Sequence, residues 1–170
     1  MLYFDIRAIE SSAQPVDGAL EAADPVWEES DMPPSDSVHV VGRLSAAGPG
    51  RFYFAGELSG STLVSCRRCL VDVSSEVHDS VTAFYAETGL DDADEADVYP
   101  LAANARTIDL RAAVREAWVL AAPAFVTCRP DCQGLCPVCG ADRNVGSCEC
   151  RASTTDARWD ALRALRDSTS

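Results

Sequence analysis

Residues 128–150 read CRPDCQGLCPVCGADRNVGSCEC and contain six of the eight cysteines in this 170-residue chain. The other two lie near its middle, in Cys66-Arg-Arg-Cys69. Two cysteines separated by two residues can hold one tetrahedral metal ion through a tight backbone turn, which is the usual geometry of a structural zinc site. Eight thiols suffice for two such sites, so the sequence predicts a protein stabilised by two zinc ions.

The spacing also predicts how the cysteines are grouped. In Cys136-Pro-Val-Cys139-Gly140, Pro137 fixes its own φ and bends the turn, and Gly140 lets the backbone fold close beneath a metal ion. The turn residues Asn144-Val-Gly146 then return the chain toward the last two cysteines. One predicted site therefore contains Cys136, Cys139, Cys148 and Cys150, and the other contains Cys66, Cys69, Cys128 and Cys132.

A disulfide framework is the simplest alternative, since the cysteine count is even. Residues 1–7 lack the basic and apolar regions of a secretory signal, and no apolar run approaches the roughly 18 residues of a membrane span. We therefore expect a cytoplasmic protein without a membrane segment. Because thiols stay reduced in the cytoplasm, metal binding is favoured over disulfides.

Two further alternatives use the same thiols. A Cys-x-x-Cys pair can be a redox dithiol, typically between a strand and a helix with one thiol of lowered pKa. Pro137 and Gly140 instead begin a turn-rich loop. Iron also accepts four sulfurs, but a rubredoxin-like site usually has two matching turns, and the Cys66 segment lacks the proline and the glycine. Zinc is therefore predicted over iron.

The charge balance bears on the kind of partner. The chain contains 27 Asp and Glu against 14 Lys and Arg, a net charge of −13. Two zinc ions, each held by four thiolates, would bring the charge to about −17. Such a surface repels nucleic acid at long range unless its arginines cluster. Five arginines do lie beside the cysteines, interleaved with Asp131, Asp142 and Glu149: Arg67, Arg68, Arg129, Arg143 and Arg151. A basic protein partner therefore fits better than bare RNA, and direct RNA binding stays open although the net charge disfavours it.

Alternating apolar residues predict the body of the fold, residues 1–126, as an antiparallel meander or a barrel-like sheet with one wet face. The clearest alternation runs from Val71 to Ala83. The other predicted strands are Met1–Arg7, Ser37–Leu44, Arg51–Leu58 and Gly60–Ser65. Asp24–Asp36 is predicted to be a loop anchored by Trp27, and Glu87–Asp97 an acidic loop.

One main helix is predicted to pack on this sheet, which makes the fold α+β. Thr107 is its predicted N-cap, Asp109 lies in its first turn, and Pro123 ends it. Its apolar stripe contains Leu110, Val114, Ala117 and Trp118. Residues 127–170 then form a zinc-ribbon-like segment with a short helix at about 155–166, tied to the body through Cys66 and Cys69.

No catalytic residue is predicted. His39 and His78 are the only histidines, and neither lies in an arrangement of Cys or Asp that suggests a catalytic pair. The chain contains no H-E-x-x-H, G-x-S-x-G or phosphate-binding loop. We therefore predict that the protein is not an enzyme.

Three motifs together resemble the YceD family of bacteria and plastids, whose members are described as large ribosomal RNA subunit accumulation proteins. They are Cys-x-x-Cys-Leu after a strand, a Thr-Ile-Asp-Leu helix ending in Ala-Pro, and DCQGLCPVCGADRN followed by CEC. The resemblance covers about residues 66–166, and the tail Asp156-Ala-Arg-Trp-Asp-Ala-Leu resembles the family's ending. Arg143 departs from the pattern, since members often have an apolar residue there.

The resemblance implies a non-catalytic role in the synthesis, processing or stability of 23S ribosomal RNA, and hence in large-subunit biogenesis. Some relatives lack most of the C-terminal cysteines, which implies that metal holds the fold while the sheet and helix bind a partner. That partner would be a basic ribosomal protein or an RNA-processing factor. The alternative is a cysteine-based oxidoreductase or rubredoxin-like electron carrier that uses Cys136 and Cys139.

Overall fold

The computed structural model describes residues 2–28, 30, 32–90 and 97–151. The predicted helix at 155–166 and most of the predicted acidic loop lie outside these residues. The strands are β1 Tyr3–Asp5, β2 Gln14–Leu20, β3 Val38–Gly48, β4 Arg51–Ser65, β5 Asp72–Glu87, β6 Val98–Leu101 and β7 Thr107–Asp109. The helices are α1 Ile6–Ser11 and α2 Arg111–Ala121, with a 3₁₀ turn at Pro25–Trp27.

The main sheet has five strands in the order β2-β3-β4-β5-β6. Strands β2 to β5 pair antiparallel in chain order, which confirms the predicted meander, and β6 pairs parallel to β5. The sheet stays open within the described residues, so the barrel-like alternative is wrong. Strands β2 and β6 were not predicted, because neither is long or regularly alternating. The fold is α+β, as predicted.

The longest pairing joins β4 to β5, with partners from Arg51↔Ala86 to Ser65↔Asp72. The sequence prediction divided β4 into two strands, 51–58 and 60–65, and this division is wrong. Even-numbered residues of β4 face the core along its whole length, including Gly60, so the alternation is never interrupted. The Cys66–Val71 turn lies at the end of this hairpin opposite to the Arg51↔Ala86 pair.

One face of the sheet is buried and the other is wet, as predicted. Core residues on the central strands alternate with exposed or half-buried ones, since successive side chains of a strand point to opposite faces. The buried side chains of these strands include Val38, Val40, Leu44, Phe52, Phe54, Leu58, Val77, Val81 and Tyr85.

The main helix begins later than predicted. Thr107–Asp109 is strand β7, which pairs with β1, so Thr107 is not the N-cap. Asp109 still supports the helix start, since its Oδ1 accepts a hydrogen bond from the Arg111 backbone N–H at 3.0 Å. Leu110, Val114 and Trp118 are buried, which confirms the predicted apolar stripe. Pairing with β1 provides hydrogen-bond partners for the backbone N–H and C=O groups of 107–109, which the predicted helix would have bonded within itself.

The N-terminal segment also differs from its prediction. Residues 1–7 were predicted as one strand, whereas β1 ends at Asp5 and α1 begins at Ile6. Asp5 caps this helix, because its Oδ1 accepts a hydrogen bond from the Arg7 backbone N–H at 2.8 Å. The strand therefore stops where a capping carboxylate starts a helix.

Trp27 and Trp118 pack against each other in the layer that covers the buried face of the sheet. Trp27 is buried, as its predicted anchoring role requires, and its ring meets that of Trp118 edge-on at a centroid distance of 6.0 Å. The Trp118 indole N–H donates to the Met32 carbonyl at 3.0 Å. A Cβ added at Gly60 would lie 3.0 Å from Trp118 Cζ3, so the indole packs directly on the backbone of β4.

We expect Gly60→Val to lower the free energy of unfolding by about 1–3 kcal/mol, because an added side chain would overpack this contact. Ser59→Val is the matched control, since Ser59 faces the wet side of the same strand and valine is a good strand former. Urea denaturation of the metal-loaded chain measures both. Equal stability of the two variants would contradict the direct packing of Trp118 on β4.

Candidate metal centres

The first group of thiols joins the middle of the chain to its C-terminal part. Cys66, Cys69, Cys128 and Cys132 place their sulfurs within 4.8 Å of one another. The Cys66–Cys132 and Cys69–Cys128 sulfur pairs are 3.9 and 3.6 Å apart. Two sulfurs at about 2.3 Å from one tetrahedral ion lie about 3.8 Å apart, whereas a disulfide bond is about 2.05 Å long. These thiols are therefore spaced for one metal ion and are not bridged.

The second group contains Cys136, Cys139, Cys148 and Cys150, whose sulfurs also lie within 4.8 Å of one another. All eight cysteines are free thiols. The structure thus brings together the same two sets of four that the spacing predicts, and both sets have the donors that suit a soft divalent ion.

The Cys66 turn is the hairpin connection between β4 and β5. The Cys66 N–H donates to the Val71 carbonyl at 2.8 Å, which continues the strand ladder by one step. The Leu70 N–H donates to the Cys66 carbonyl at 2.9 Å, and the Arg68 N–H reaches the Cys66 sulfur at 3.5 Å. The register of the long hairpin therefore fixes where the first two thiols lie.

The Cys136 turn has the same backbone hydrogen bonds. The Cys136 N–H donates to the Ala141 carbonyl at 2.8 Å, and the Gly140 N–H donates to the Cys136 carbonyl at 2.9 Å. A single antiparallel bridge, Leu135↔Asp142, flanks this turn as the last pair of the β4–β5 ladder flanks the other. The chain thus builds the same cysteine-containing turn twice.

The equivalence extends to the backbone conformation after the second cysteine. Gly140 has φ 73°, and Leu70 has φ 62° at the matching position. The sequence interpretation that the Cys66 segment does not match the Cys136 segment is therefore wrong, because leucine here adopts a conformation that usually belongs to glycine. Each group of four nevertheless contains only one such turn, so the two turns do not converge on one ion as in a rubredoxin-like site.

Backbone amides favour the thiolate form of the first cysteine in each turn. The Cys69 amide, followed by the Cys128 amide, lowers the pKa of Cys66 to about 6. The Cys139 amide makes the largest contribution in the other turn, where the pKa of Cys136 also falls to about 6. A hydrogen bond to the charged form of a group stabilises that form. Both turns are therefore electrostatically prepared to present a thiolate.

One thiol of each group, Cys128 in the first and Cys150 in the second, is held in its neutral form. Desolvation, followed by the neighbouring Cys132 thiol, raises the pKa of Cys128 to about 12, although the residue as a whole is exposed. The Cys139 thiol, followed by desolvation, raises the pKa of Cys150 to about 12. A metal ligand must be deprotonated, so metal binding releases these protons and strengthens as the pH rises.

Contacts between backbones hold the cysteine-rich segment against the hairpin. The Arg67 N–H donates to the Val126 carbonyl, and the Leu135 N–H donates to the Arg68 carbonyl, both at 2.9 Å. Gly134 has φ 68°, and a Cβ there would lie 2.9 Å from the Arg68 carbonyl oxygen. Only glycine fits this approach without strain.

Asn144 links the two groups, a role that its turn-forming character did not reveal. Its Nδ2 donates to the Cys132 sulfur at 3.5 Å, and its Oδ1 accepts from the Gln133 N–H at 2.8 Å. Its Nδ2 also donates to Asp142 Oδ1 at 2.7 Å. A residue between ligands of the second group therefore orients a ligand of the first. The sequence did not indicate this role, since Cys132 lies twelve residues earlier in the chain.

The arginines beside the ligands are partly structural. Arg68 Nη1 donates to the Cys132 carbonyl at 2.9 Å, and Arg129 Nη2 donates to Asn144 Oδ1 at 2.9 Å. Arg129 Nε also lies 3.6 Å from Asp131 Oδ1. These contacts fit the mixed-charge surface that the sequence suggests, rather than a patch reserved for phosphate.

The two centres differ in exposure. At the first, all ligands except Cys128 are buried, whereas at the second only Cys136 is buried. The first centre also lies at the end of the longest strand pair. We infer that solvent and competing ligands reach the second centre more readily.

His39 has a partner that the sequence did not indicate. Its Nε2 lies 2.8 Å from Asp17 Oδ1, across the β2–β3 pair on the wet face. Ser59 is opposite His39 in the sheet register, but no hydrogen bond joins their side chains. Both the histidine and the carboxylate are exposed, so water reaches the pair from the wet face.

No helix in the described ranges has the length and apolar character needed to cross a membrane.

We expect Leu70→Val to lower the free energy of unfolding by about 1–2 kcal/mol, because a β-branched residue is poorly tolerated at positive φ. Leu70→Gly should be nearly neutral, since relief of strain offsets the entropy that glycine adds to the unfolded chain. Leu63→Val is the matched control, because Leu63 is 59% exposed and Leu70 63% exposed, and Leu63 has ordinary strand geometry. Denaturation of the metal-loaded variants gives the result, and equal loss in both valine variants would refute the strain at Leu70.

The chain is similar to known proteins over a region that includes both groups of thiols. An uncharacterized protein of Mycobacterium bovis and two from strains of Mycobacterium tuberculosis are each 36% identical to it over 87 residues, which is 50% of this chain and 42% of theirs. The matched region thus spans less than half the length of these relatives. No solved structure is significantly similar. The family model described as "Large ribosomal RNA subunit accumulation protein YceD" matches residues 54–166, including both centres, and the chain therefore belongs to the YceD family.

Proposed function

We propose that this protein is a non-catalytic factor in the synthesis, processing or stability of 23S ribosomal RNA, and acts in large ribosomal subunit biogenesis through a basic protein partner. The observation that supports this most directly is the match to the family model over residues 54–166, whose description refers to accumulation of large-subunit ribosomal RNA. The matched region includes most of the β4–β5 hairpin, helix α2 and all eight cysteines.

Both groups of thiols hold zinc in this proposal, and the zinc is structural. Four thiolates per site match the closed coordination of structural zinc, which leaves no open position for a substrate. Residues 127–151 contain few large apolar side chains, and two of these, Val138 and Val145, are exposed. Such a segment buries too little apolar surface to fold by itself, so metal binding supplies the stabilisation.

The electrostatics favour a protein partner over bare RNA. The net charge is −13 before any metal-bound thiolate is counted. Arg68 and Arg129, two of the arginines nearest the centres, donate hydrogen bonds inside the protein. A polyanion would meet long-range repulsion, whereas a basic ribosomal protein or RNA-processing factor would be attracted.

The oxidoreductase alternative has no comparable support. A redox Cys-x-x-Cys pair usually lies between a strand and a helix, whereas residues 136–141 form a turn flanked by a bridge. The low pKa of Cys136 arises chiefly from the Cys139 amide of its own turn. Cys66 has an equally low pKa from the matching amide, so this property belongs to the metal-binding turn.

We expect the purified chain to contain two zinc ions, one for each group of thiols, and a strong chelator to remove them in two phases. The second centre should empty first because it is more exposed. Loss of zinc removes on the order of 10 kcal/mol per site, so residues 127–151 should become sensitive to protease while the strand signal of the sheet persists. Elemental analysis and limited proteolysis measure these changes.

Two variants show which centre loses its zinc in each phase. Cys139→Ser should abolish the fast phase, and Cys69→Ser the slow one. Bound iron, or unchanged proteolysis after complete metal removal, would contradict the structural zinc proposal.

In cells depleted of this protein, we expect a lower ratio of 23S to small-subunit ribosomal RNA and fewer large subunits on a sucrose gradient. The wild-type chain should restore both, and Cys136→Ser should fail because the second centre cannot form. Affinity purification should recover a basic protein that survives ribonuclease treatment.

An unchanged rRNA ratio would overturn the proposed role. Recovery of RNA-dependent partners only would overturn the protein-mediated mechanism. An active Cys136→Ser variant would show that the second centre is dispensable for the function.

A further inference from the structure

Strand β5 has an open edge. It spans Asp72–Glu87, but β6 pairs only with Phe84–Glu87 on the side away from β4. Among the described residues no strand lies beside 72–83 on that side. An edge of this kind presents backbone N–H and C=O groups that another extended segment can pair with.

A groove of about 490 Å³ lies along this edge. Its walls include Val81 and Ala83 from the buried face of β5, and Thr82 and Phe84 from the wet face. Because both faces contribute, the space lies beside the strand, and it also extends over the wet face as far as Tyr53 of β4. Val98, the first residue of β6, closes one end, so the groove continues the line of β6. It therefore occupies the position that a further strand beside β5 would take.

Helix α2 forms the opposite wall. Ala113 and Ala117 face the groove with small side chains, and Leu120 lines it while remaining 80% exposed. Small residues leave room for incoming side chains, and an exposed leucine offers apolar surface to cover. A groove between a strand edge and a helix is the arrangement in which a peptide adds to a sheet and places alternate side chains in pockets.

The groove is acidic. Asp79, Asp97 and Glu116 line it, and no lysine, arginine or histidine is among its lining residues. Glu116 accepts a hydrogen bond from the Tyr99 hydroxyl, which fixes one carboxylate at the wall. Carboxylates grouped in a cleft attract cationic ligands and repel anionic ones.

We propose that the open edge of β5 binds a basic, extended segment of a protein partner, which adds as a strand between β5 and α2 with arginine or lysine side chains facing Asp79, Asp97 and Glu116. The inference rests on the proposed function in one respect: it gives the basic partner a docking site. Main-chain pairing supplies affinity, and the carboxylates select for positive charge.

The negative charge of the groove favours a basic segment over two other occupants, RNA and the chain's own residues 91–96. RNA would bring phosphates against the three carboxylates. The chain's own residues 91–96 read Asp-Asp-Ala-Asp-Glu-Ala, which has the same sign as the groove. A basic segment from another protein is the occupant whose charge complements the walls.

The experiment uses the full zinc-loaded chain and a fluorescein-labelled synthetic peptide of alternating arginine and valine. Anisotropy gives its affinity, and hydrogen exchange reports protection of amides in 79–83. A glutamate–valine peptide tests the charge requirement, and an arginine–valine peptide N-methylated at alternate positions tests main-chain pairing. We expect tight binding only of the unmodified basic peptide, with new protection along β5.

Asp79→Asn combined with Glu116→Gln should weaken this binding about fivefold, as expected for loss of two exposed ion pairs. Glu57→Gln combined with Glu76→Gln is the matched control, because it changes the net charge equally on β4 and β5 without altering the groove lining. The control should bind like the wild type.

Several outcomes would overturn the docking proposal. They are equal weakening by both double variants, undiminished binding of the N-methylated peptide, or protection of 79–83 by an RNA oligonucleotide. Protection that rises with protein concentration without peptide would instead assign the edge to a second copy of this chain. None of these results depends on ribosomal RNA levels in cells, so failure here is distinguishable from failure of the proposed function.

Discussion

Eight thiols held in two tight groups are the constraint on which the C-terminal half of this protein depends. In each group, backbone amides point at the sulfur of the first cysteine, lower its pKa and favour a thiolate before any ion arrives. The first group includes two cysteines at a hairpin tip and two from beyond α2. A shared ion there would close a long loop in the chain, which restricts the unfolded state as well as holding the folded one.

The β4–β5 hairpin transmits this constraint to the rest of the fold. Its ladder runs without a break from the Arg51↔Ala86 pair to the Ser65↔Asp72 pair, next to the Cys66 turn. The same strands form the centre of the core, and Trp118 of α2 packs on the backbone of β4. Metal centre, sheet and helix are therefore parts of one arrangement, in which β4 and β5 position all three.

The two ends of this hairpin present different side chains. The cysteine end has closed four-sulfur groups and arginines that donate hydrogen bonds within the protein. The edge of β5 nearer β6 has a groove with carboxylates, small residues and no basic side chain among those lining it. This separation fits the proposed division, in which metal would maintain the shape and another surface would meet the partner.

The sequence alone determined the Cys136 group, the meander and the buried stripe of α2, because ligand spacing and apolar period are local properties. The first group of cysteines followed only as the four that remained. The start of α2 required the fold, since pairing with β1 turned Thr107 into a strand residue. Tertiary structure also decided that Leu70 adopts the conformation of Gly140, that Asn144 contacts Cys132, and that no strand within the described residues covers the edge of β5 at 72–83. Each of these depends on contacts between residues far apart in the chain, which residue spacing does not encode.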